Sequence, residues 1–195
     1  MNYYPTPLRP VIVFLRMLLL LTPILLSACT LKAPMDAASE QSQALQELLH
    51  LKMPSANGRQ MSISDHRGKI VMLHFLSSWC RECTAEAPAL NNLHNSFKGS
   101  GLSIIGIAVD DEPFQTQSFT SRVQFPFPVL MDVSGELKAF FSIKQLPSTL
   151  FLDRQGMPIY FKDPDSGEVT AKLEGPRAWD TTLPVQMIAG LVEQR

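Results

Sequence analysis

Cysteine is scarce, at three in 195 residues (Cys29, Cys80 and Cys83). A single small loop closed by two of them would stabilise a fold little by chain entropy, so a passive scaffold held by such a staple is a poor explanation of their placement. Histidine is thin as well: His50, His66, His74 and His94 all lie before residue 95, so no downstream imidazole is available to a metal. Charge is nearly balanced, with a formal net value of -1, and no basic run follows the leader, which argues against a nucleic-acid surface. The apolar run from Met17 to Cys29 is shorter than the roughly 20 residues a membrane-spanning helix needs. Repeats and low-complexity segments are absent. No single activated cysteine occupies a separate loop, as a peroxidase of an α/β fold would require.

Two arginines, Arg9 and Arg16, precede that apolar run, and small residues close it as "LLSAC". A basic flank, a short greasy stretch and small residues before a cut site read as a secretory signal over residues 1–28. The ending resembles the lipobox of bacterial lipoproteins, which implies cleavage before Cys29, lipidation of that cysteine and a membrane anchor. A soluble secreted protein and an uncleaved anchor are the alternatives. With Cys29 acylated, the exported chain retains one pair and no odd thiol. Export places that pair in an oxidising compartment. Thr30 after Cys29 resembles the pattern sent to the outer membrane of a two-membrane cell; the outer face of the inner membrane is the other location. "TLKAPMDAASEQSQ" reads as a polar tether within 29–50, with a helical turn or two from "ALQELLHL". Residues 51–195 are enough for one domain with a proper core.

Within that domain "IVMLHFL" is a near-continuous apolar run, as a central strand covered on both faces needs. From Cys80 to about Phe97, Ala85, Leu90, Leu93 and Phe97 are spaced for one helical face. "LSIIGIAV" is a second buried strand, so a right-handed crossover is expected. A helix from Pro113, a short segment at "FPFPVLMD" and a short helix capped by Ser134 come next. "PSTLFLD", "RQG" and "MPIYF" read as a hairpin prolonged by "KDPDSGE", with "VTAKLEG" as a third antiparallel piece or a return of the ribbon. The last helix spans about Thr182 to Glu193, with Pro184 in its first turn and Gly190 weakening it late. This order predicts an α/β sandwich.

Cys80 and Cys83 stand two residues apart behind Trp79. A structural disulfide, a metal clip and a redox centre all use that spacing. If a helix starts at the first cysteine, the two side chains lie within disulfide reach. The unpaired N–H groups and positive end of the helix then stabilise a thiolate at Cys80. Cys83, one turn in and facing the domain, is harder to reach. Cys80 is thus suited to attack and Cys83 to resolve.

"FLSSWCRECTAEAP" resembles the active-site stretch of thioredoxin-fold proteins, and most closely the TlpA-like thiol–disulfide oxidoreductases. The similarity extends from "NGRQMSISDHRGK" through "PSTLFLDRQG" to "GPRAWD". It implies a thioredoxin-like three-layer α/β/α sandwich with a central mixed sheet. Trp79, Pro88 and the Leu146-Pro147 pair strengthen the likeness. By it, Pro147 would be a cis-proline against the redox pair, and the backbone of Leu146 would pair with an extended substrate segment.

Resolution needs a proton acceptor near Cys83, and two residues compete. Glu86 matches a glutamate that TlpA-like proteins place beside their cysteines and is the first choice. His74, where such chains often have asparagine, is either a second base or a core histidine bonded to backbone. Leu76 replaces a usual aromatic. Arg81 and Glu82, between the cysteines, pull the Cys80 thiolate in opposite senses and leave the direction of electron flow open. The resemblance favours a reductase of exported protein disulfides, recharged by a membrane-embedded thiol electron donor, with no dissociable cofactor and no metal. The rival is a copper(I)-binding metallochaperone, which resembles a wider cysteine spacing and a downstream histidine, both absent here. For "GPRAWD", packing of Trp179 between the last helix and the sheet is sufficient.

Overall fold

The structure is a computed structural model that describes residues 34–110 and 112–193. The leader, the cleavage region, Cys29 and Thr30 lie outside the described residues. Residues 39–195 form the unit that carries the fold.

Helix α1 (Pro34–His50) precedes two short antiparallel strands, β1 (Met53–Pro54) and β2 (Gln60–Met61). Strand β3 (Ile70–Leu76), helix α2 (Arg81–Phe97), strand β4 (Leu102–Ala108), helix α3 (Pro113–Val123), strand β5 (Val129–Met131) and helix α4 (Glu136–Phe140) follow. Strands β6 (Ser148–Leu152), β7 (Phe161–Lys162), β8 (Val169–Thr170) and β9 (Lys172–Glu174) lead to helix α5 (Thr182–Glu193). The main sheet has the order β5-β4-β3-β6-β9. β3, β4 and β5 are parallel, whereas β6 runs antiparallel to both β3 and β9. The sheet is therefore mixed, and the fold is the expected α/β thioredoxin-like one.

Every residue of β3 is buried, which explains the missing polar alternation. Period two sends Ile70, Met72 and His74 to one face and Val71, Leu73 and Phe75 to the other. The first face packs with Leu90 and Leu93 of α2 and with Ile188 and Leu191 of α5. The second packs with Leu45 and Leu49 of α1 and with Leu137 of α4. One polar residue on so apolar a strand, His74, is thereby aimed at α2.

Three local expectations are corrected. The stretch read as a polar tether is helical from Pro34 onward, and Leu45 and Leu49 lock its second half into the core. Ala85 is exposed, because Cys83 points inward and a residue two positions on lies about 200° around the helix. The buried stripe of α2 is Cys83, Glu86, Ala87, Leu90 and Leu93. At α4 the N-cap position is Gly135, not Ser134, and the capping carboxylate is that of Asp132, which accepts from the backbone N–H of Leu137 (3.2 Å) and Lys138 (2.8 Å). Gly135, at φ 71°, makes the left-handed turn that brings Asp132 there.

The hairpin forms as expected, with the Asp153 N–H donating to the Met157 carbonyl and the Ile159 N–H to the Phe151 carbonyl, each at 2.8 Å, but it is short. "MPIYF" meets β6 through a bridge between Leu152 and Pro158, and a proline has no N–H with which to extend a ladder. The chain instead leaves the sheet to pair β7 with β8 in a separate ribbon, and β9 takes the edge beside β6.

Candidate active site

Helix α2 begins where the chemistry needs it. Cys80 is its N-cap, with extended backbone, and Cys80 Sγ accepts from the Cys83 N–H at 3.1 Å. Cys80 and Cys83 are joined (S–S 2.05 Å, Cα–Cα 5.3 Å). Both are buried, but they differ in reach. Cys80 lines a cleft of about 310 Å³ together with Trp79, Arg81, Glu82 and Leu146, and Cys83 does not. Trp79 flanks the opening and is 67% exposed. In the reduced state the same helix end offers N–H groups and a positive dipole to a Cys80 thiolate.

The segment before the helix is pinned from β4. Asp110, just after that strand, accepts from the backbone N–H and the hydroxyl of Ser78, each at 2.8 Å, and from Thr116 Oγ1 at 2.7 Å. A buried carboxylate with three donors fixes Trp79 and Cys80 by holding the residue before them. Sequence reasoning missed Asp110.

Glu86 and His74, read as rivals, are neighbours. Glu86 lies one turn beyond Cys83 on the buried stripe, and His74 reaches it from β3. His74 Nε2 is 2.8 Å from Glu86 Oε1, with both side chains almost wholly buried. Neither atom has another partner. His74 is not bonded to backbone, as a plain core histidine would be; its Nδ1 pairs with Thr149 Oγ1 of β6 at 2.9 Å.

The other carboxylate oxygen is held from "GPRAWD". Glu86 Oε2 accepts from the Arg177 backbone N–H at 3.0 Å and from Trp179 Nε1 at 3.3 Å. Trp179 is buried in the α2–α5 layer, as expected, but it also orients Glu86. A buried indole N–H needs an acceptor, and that requirement was the available signal. The same loop touches the proline: the Gly175 N–H donates to the Pro147 carbonyl at 2.9 Å, and the Leu146–Pro147 bond is cis. Leu146 packs against the cluster containing Cys80 and Cys83. Pro88 sits exposed inside α2.

Of the five buried side-chain polar atoms lacking a hydrogen bond among the described residues, four (His74 Nε2, Ser77 Oγ, Glu86 Oε1 and Arg177 Nε) belong to this region, and the fifth is Asn91 Oδ1. Unsatisfied groups are rare in native interiors and gather where chemistry is done. Glu86 Oε2 is committed to two N–H donors, whereas Oε1 faces His74 Nε2 alone. Among the described residues no three His, Cys, Asp or Glu side chains converge as a metal-ligand set.

Arg177 is itself anchored to the β7–β8 ribbon. It pairs with Asp163 at 2.9 Å and with Asp165. Burial pushes the Asp163 carboxyl up, but the Asp165 backbone N–H and the Arg177 guanidinium outweigh it and hold the group below its ordinary value. A carboxylate held low contributes stability that is complete above its unfolded value and is lost as pH falls through the folded one. Below about pH 4 the ribbon should begin to release Arg177. Deuterium exchange at the Arg177 amide, corrected for its intrinsic rate, is expected to rise there while amides of β3 stay protected.

An oxidised dithiol at a helix tip of a thioredoxin-like sheet defines a class, the thiol–disulfide oxidoreductases. Comparison with known proteins agrees. The AhpC/TSA family model matches residues 45–159, more than half of the chain, and the protein belongs to that family, in its TlpA-like form. Thiol-disulfide oxidoreductase ResA of Bacillus thuringiensis subsp. konkukian is 28% identical over 120 residues, 62% of this chain and 69% of that one. The crystal structure of a secreted Mycobacterium tuberculosis disulfide oxidoreductase homologous to E. coli DsbE has a TM-score of 0.54 at 24% identity, covering 75% of this chain and 96% of that one. StoA from Bacillus subtilis has a TM-score of 0.54 at 20% identity, covering 73% and 96%. These two structures bear on the fold.

Proposed function

We propose that this thiol–disulfide oxidoreductase works as a lipid-anchored reductase of disulfides in exported proteins, held through Cys29 on the periplasmic side of the outer membrane. The observation that carries the redox part is the Cys80–Cys83 bond at a helix tip, with Cys80 alone lining a cleft. The "LLSAC" ending and Thr30 support the anchor and its destination.

In the reduced chain, the Cys80 thiolate attacks one sulfur of a client disulfide and expels the other as a thiolate. Cys83 then gives its proton to the Glu86 carboxylate, and its thiolate attacks Cys80 Sγ. The client leaves as a dithiol, having gained two electrons from the cysteines, one proton passed on through Glu86 and one from water, and the Cys80–Cys83 disulfide is restored. A membrane-embedded dithiol donor returns the two electrons. His74 partners Glu86 through the transfer, and Pro147 keeps the loop carrying Leu146 beside Cys80. No dissociable cofactor takes part.

Two measurements on the full chain test this reading. Reduced protein mixed with a disulfide-bonded protein should transfer two electrons per molecule and end with Cys80 and Cys83 oxidised. Radiolabelled palmitate supplied to expressing cells should appear on the chain and be lost in Cys29→Ala. Tight copper(I) binding without electron transfer would favour the metallochaperone instead.

A further inference from the structure

The cleft beside Cys80 carries a charge pattern that the exchange chemistry does not require. Arg81 comes from the first turn of α2, Lys138 from α4, and Lys144 from the loop leading to Leu146; Glu82 is the sole acid among its lining residues. Three cations thus face one anion around the reactive sulfur. Among the described residues no ion pair engages any of the four, whereas nearby Lys172 is paired with Glu174 at 2.8 Å. Lys138 and Lys144 are exposed and reach the cleft from two different elements. Asp132, whose carboxylate lies against the start of α4, spends its oxygens on the Leu137 and Lys138 backbone N–H groups.

We propose that the cleft selects an extended client segment with Asp or Glu side chains flanking its disulfide. This rests on the oxidoreductase reading above and adds the class of substrate. At about 310 Å³ the cleft lies at the low end of ligand-pocket volumes, suited to a short stretch of chain. In an extended segment alternate side chains project to one side, so carboxylates next to the cystine can meet cations on both walls. Complementary charge chiefly raises the rate of productive encounter. The bonds made and broken are those already given: one client sulfur bonds to Cys80, its partner leaves as a thiolate, and Cys83 displaces the first. Selection acts before that step and leaves the electron balance unchanged.

The test uses two synthetic peptides, each closed by one internal disulfide and identical except for Asp or Lys at the flanking positions. Each is reduced by the dithiol form of the full chain, and its rate is divided by its rate with dithiothreitol, which removes intrinsic differences between the disulfides. At low ionic strength the acidic peptide is expected to be ahead by about five- to tenfold. The gap should narrow toward 1 M salt, where the screening length falls to about 3 Å. Lys138→Gln/Lys144→Gln should bring the peptides close together, and Lys138→Glu/Lys144→Glu should put the basic one ahead. Equal normalised rates on the unaltered chain, or a lead for the basic peptide, overturn the proposal. Failure to reduce either peptide strikes the oxidoreductase reading itself, and the selectivity falls with it.

Discussion

Cys83→Ala is expected to convert turnover into capture. Cys80 keeps its place as N-cap of α2, loses only the Cys83 sulfur, and still attacks a client disulfide. With no second thiol to displace the client, the mixed disulfide accumulates, and steady-state reduction falls to the slow rate set by outside thiols. Cys80→Ser should lose both turnover and capture, because a serine hydroxyl does not replace a thiolate in disulfide exchange. The asymmetry has a structural basis: the cleft is lined by Cys80 and not by Cys83. Non-reducing electrophoresis followed by mass spectrometry of the trapped species reads the result. Equal capture through Cys80→Ser and Cys83→Ala would show that the two sulfurs are interchangeable, and the assignment of attacker and resolver would fall.

What was legible in the sequence and what was not divide along a physical line. The β3 run, the α2 start and the α5 boundaries depend on local pattern, and local pattern is what a single sequence displays. The redox pair was readable for the same reason, since its chemistry depends on spacing along one helix. Glu86 and His74 were each visible, but only as competitors. Their 2.8 Å approach is a product of register, which sets β3 beneath α2, and no spacing along the chain encodes it. Arg177 was invisible because it acts on Glu86 through its backbone N–H, a group every residue but proline carries. The shortness of the hairpin has a related cause. "MPIYF" has strand-like composition, but which partner a strand takes at a sheet edge is decided by the competing segment, here β9, and by Pro158. The capping residue at α4 was displaced in the same way: Asp132 reaches the helix end over a glycine turn, and Ser134 stays exposed.

Glu86→Gln is expected to slow resolution about 10²-fold near pH 7, within the range for removal of a general base. The substitution keeps the shape, and an amide oxygen can still accept from the Arg177 N–H and Trp179 Nε1. What goes is the carboxylate oxygen that takes the Cys83 proton in the proposed mechanism. The pH profile separates this from a packing defect. The unaltered chain should resolve at a rate that depends less on pH than that of Glu86→Gln, whose rate should climb with pH as hydroxide replaces the lost carboxylate. Trp179→Phe fills most of the same volume but removes the donor to Glu86 Oε2. It should therefore reproduce a milder form of the same sloping profile, roughly 3- to 10-fold down at neutral pH, consistent with one hydrogen bond to a charged group partly replaced. His74→Leu tests the opposite oxygen. It strands a buried carboxylate atom without its neighbour, at a cost of about 3 kcal/mol in denaturant unfolding, and leaves Oε1 with no group to orient it. The three variants then form a series: base removed, base without its Oε2 donor, base without its Oε1 neighbour. Attack by Cys80, measured as the rate of mixed-disulfide formation in each variant combined with Cys83→Ala, should be nearly the same in all three. If the attack step slowed in parallel with resolution, Glu86 would be supporting the helix end rather than accepting a proton from Cys83.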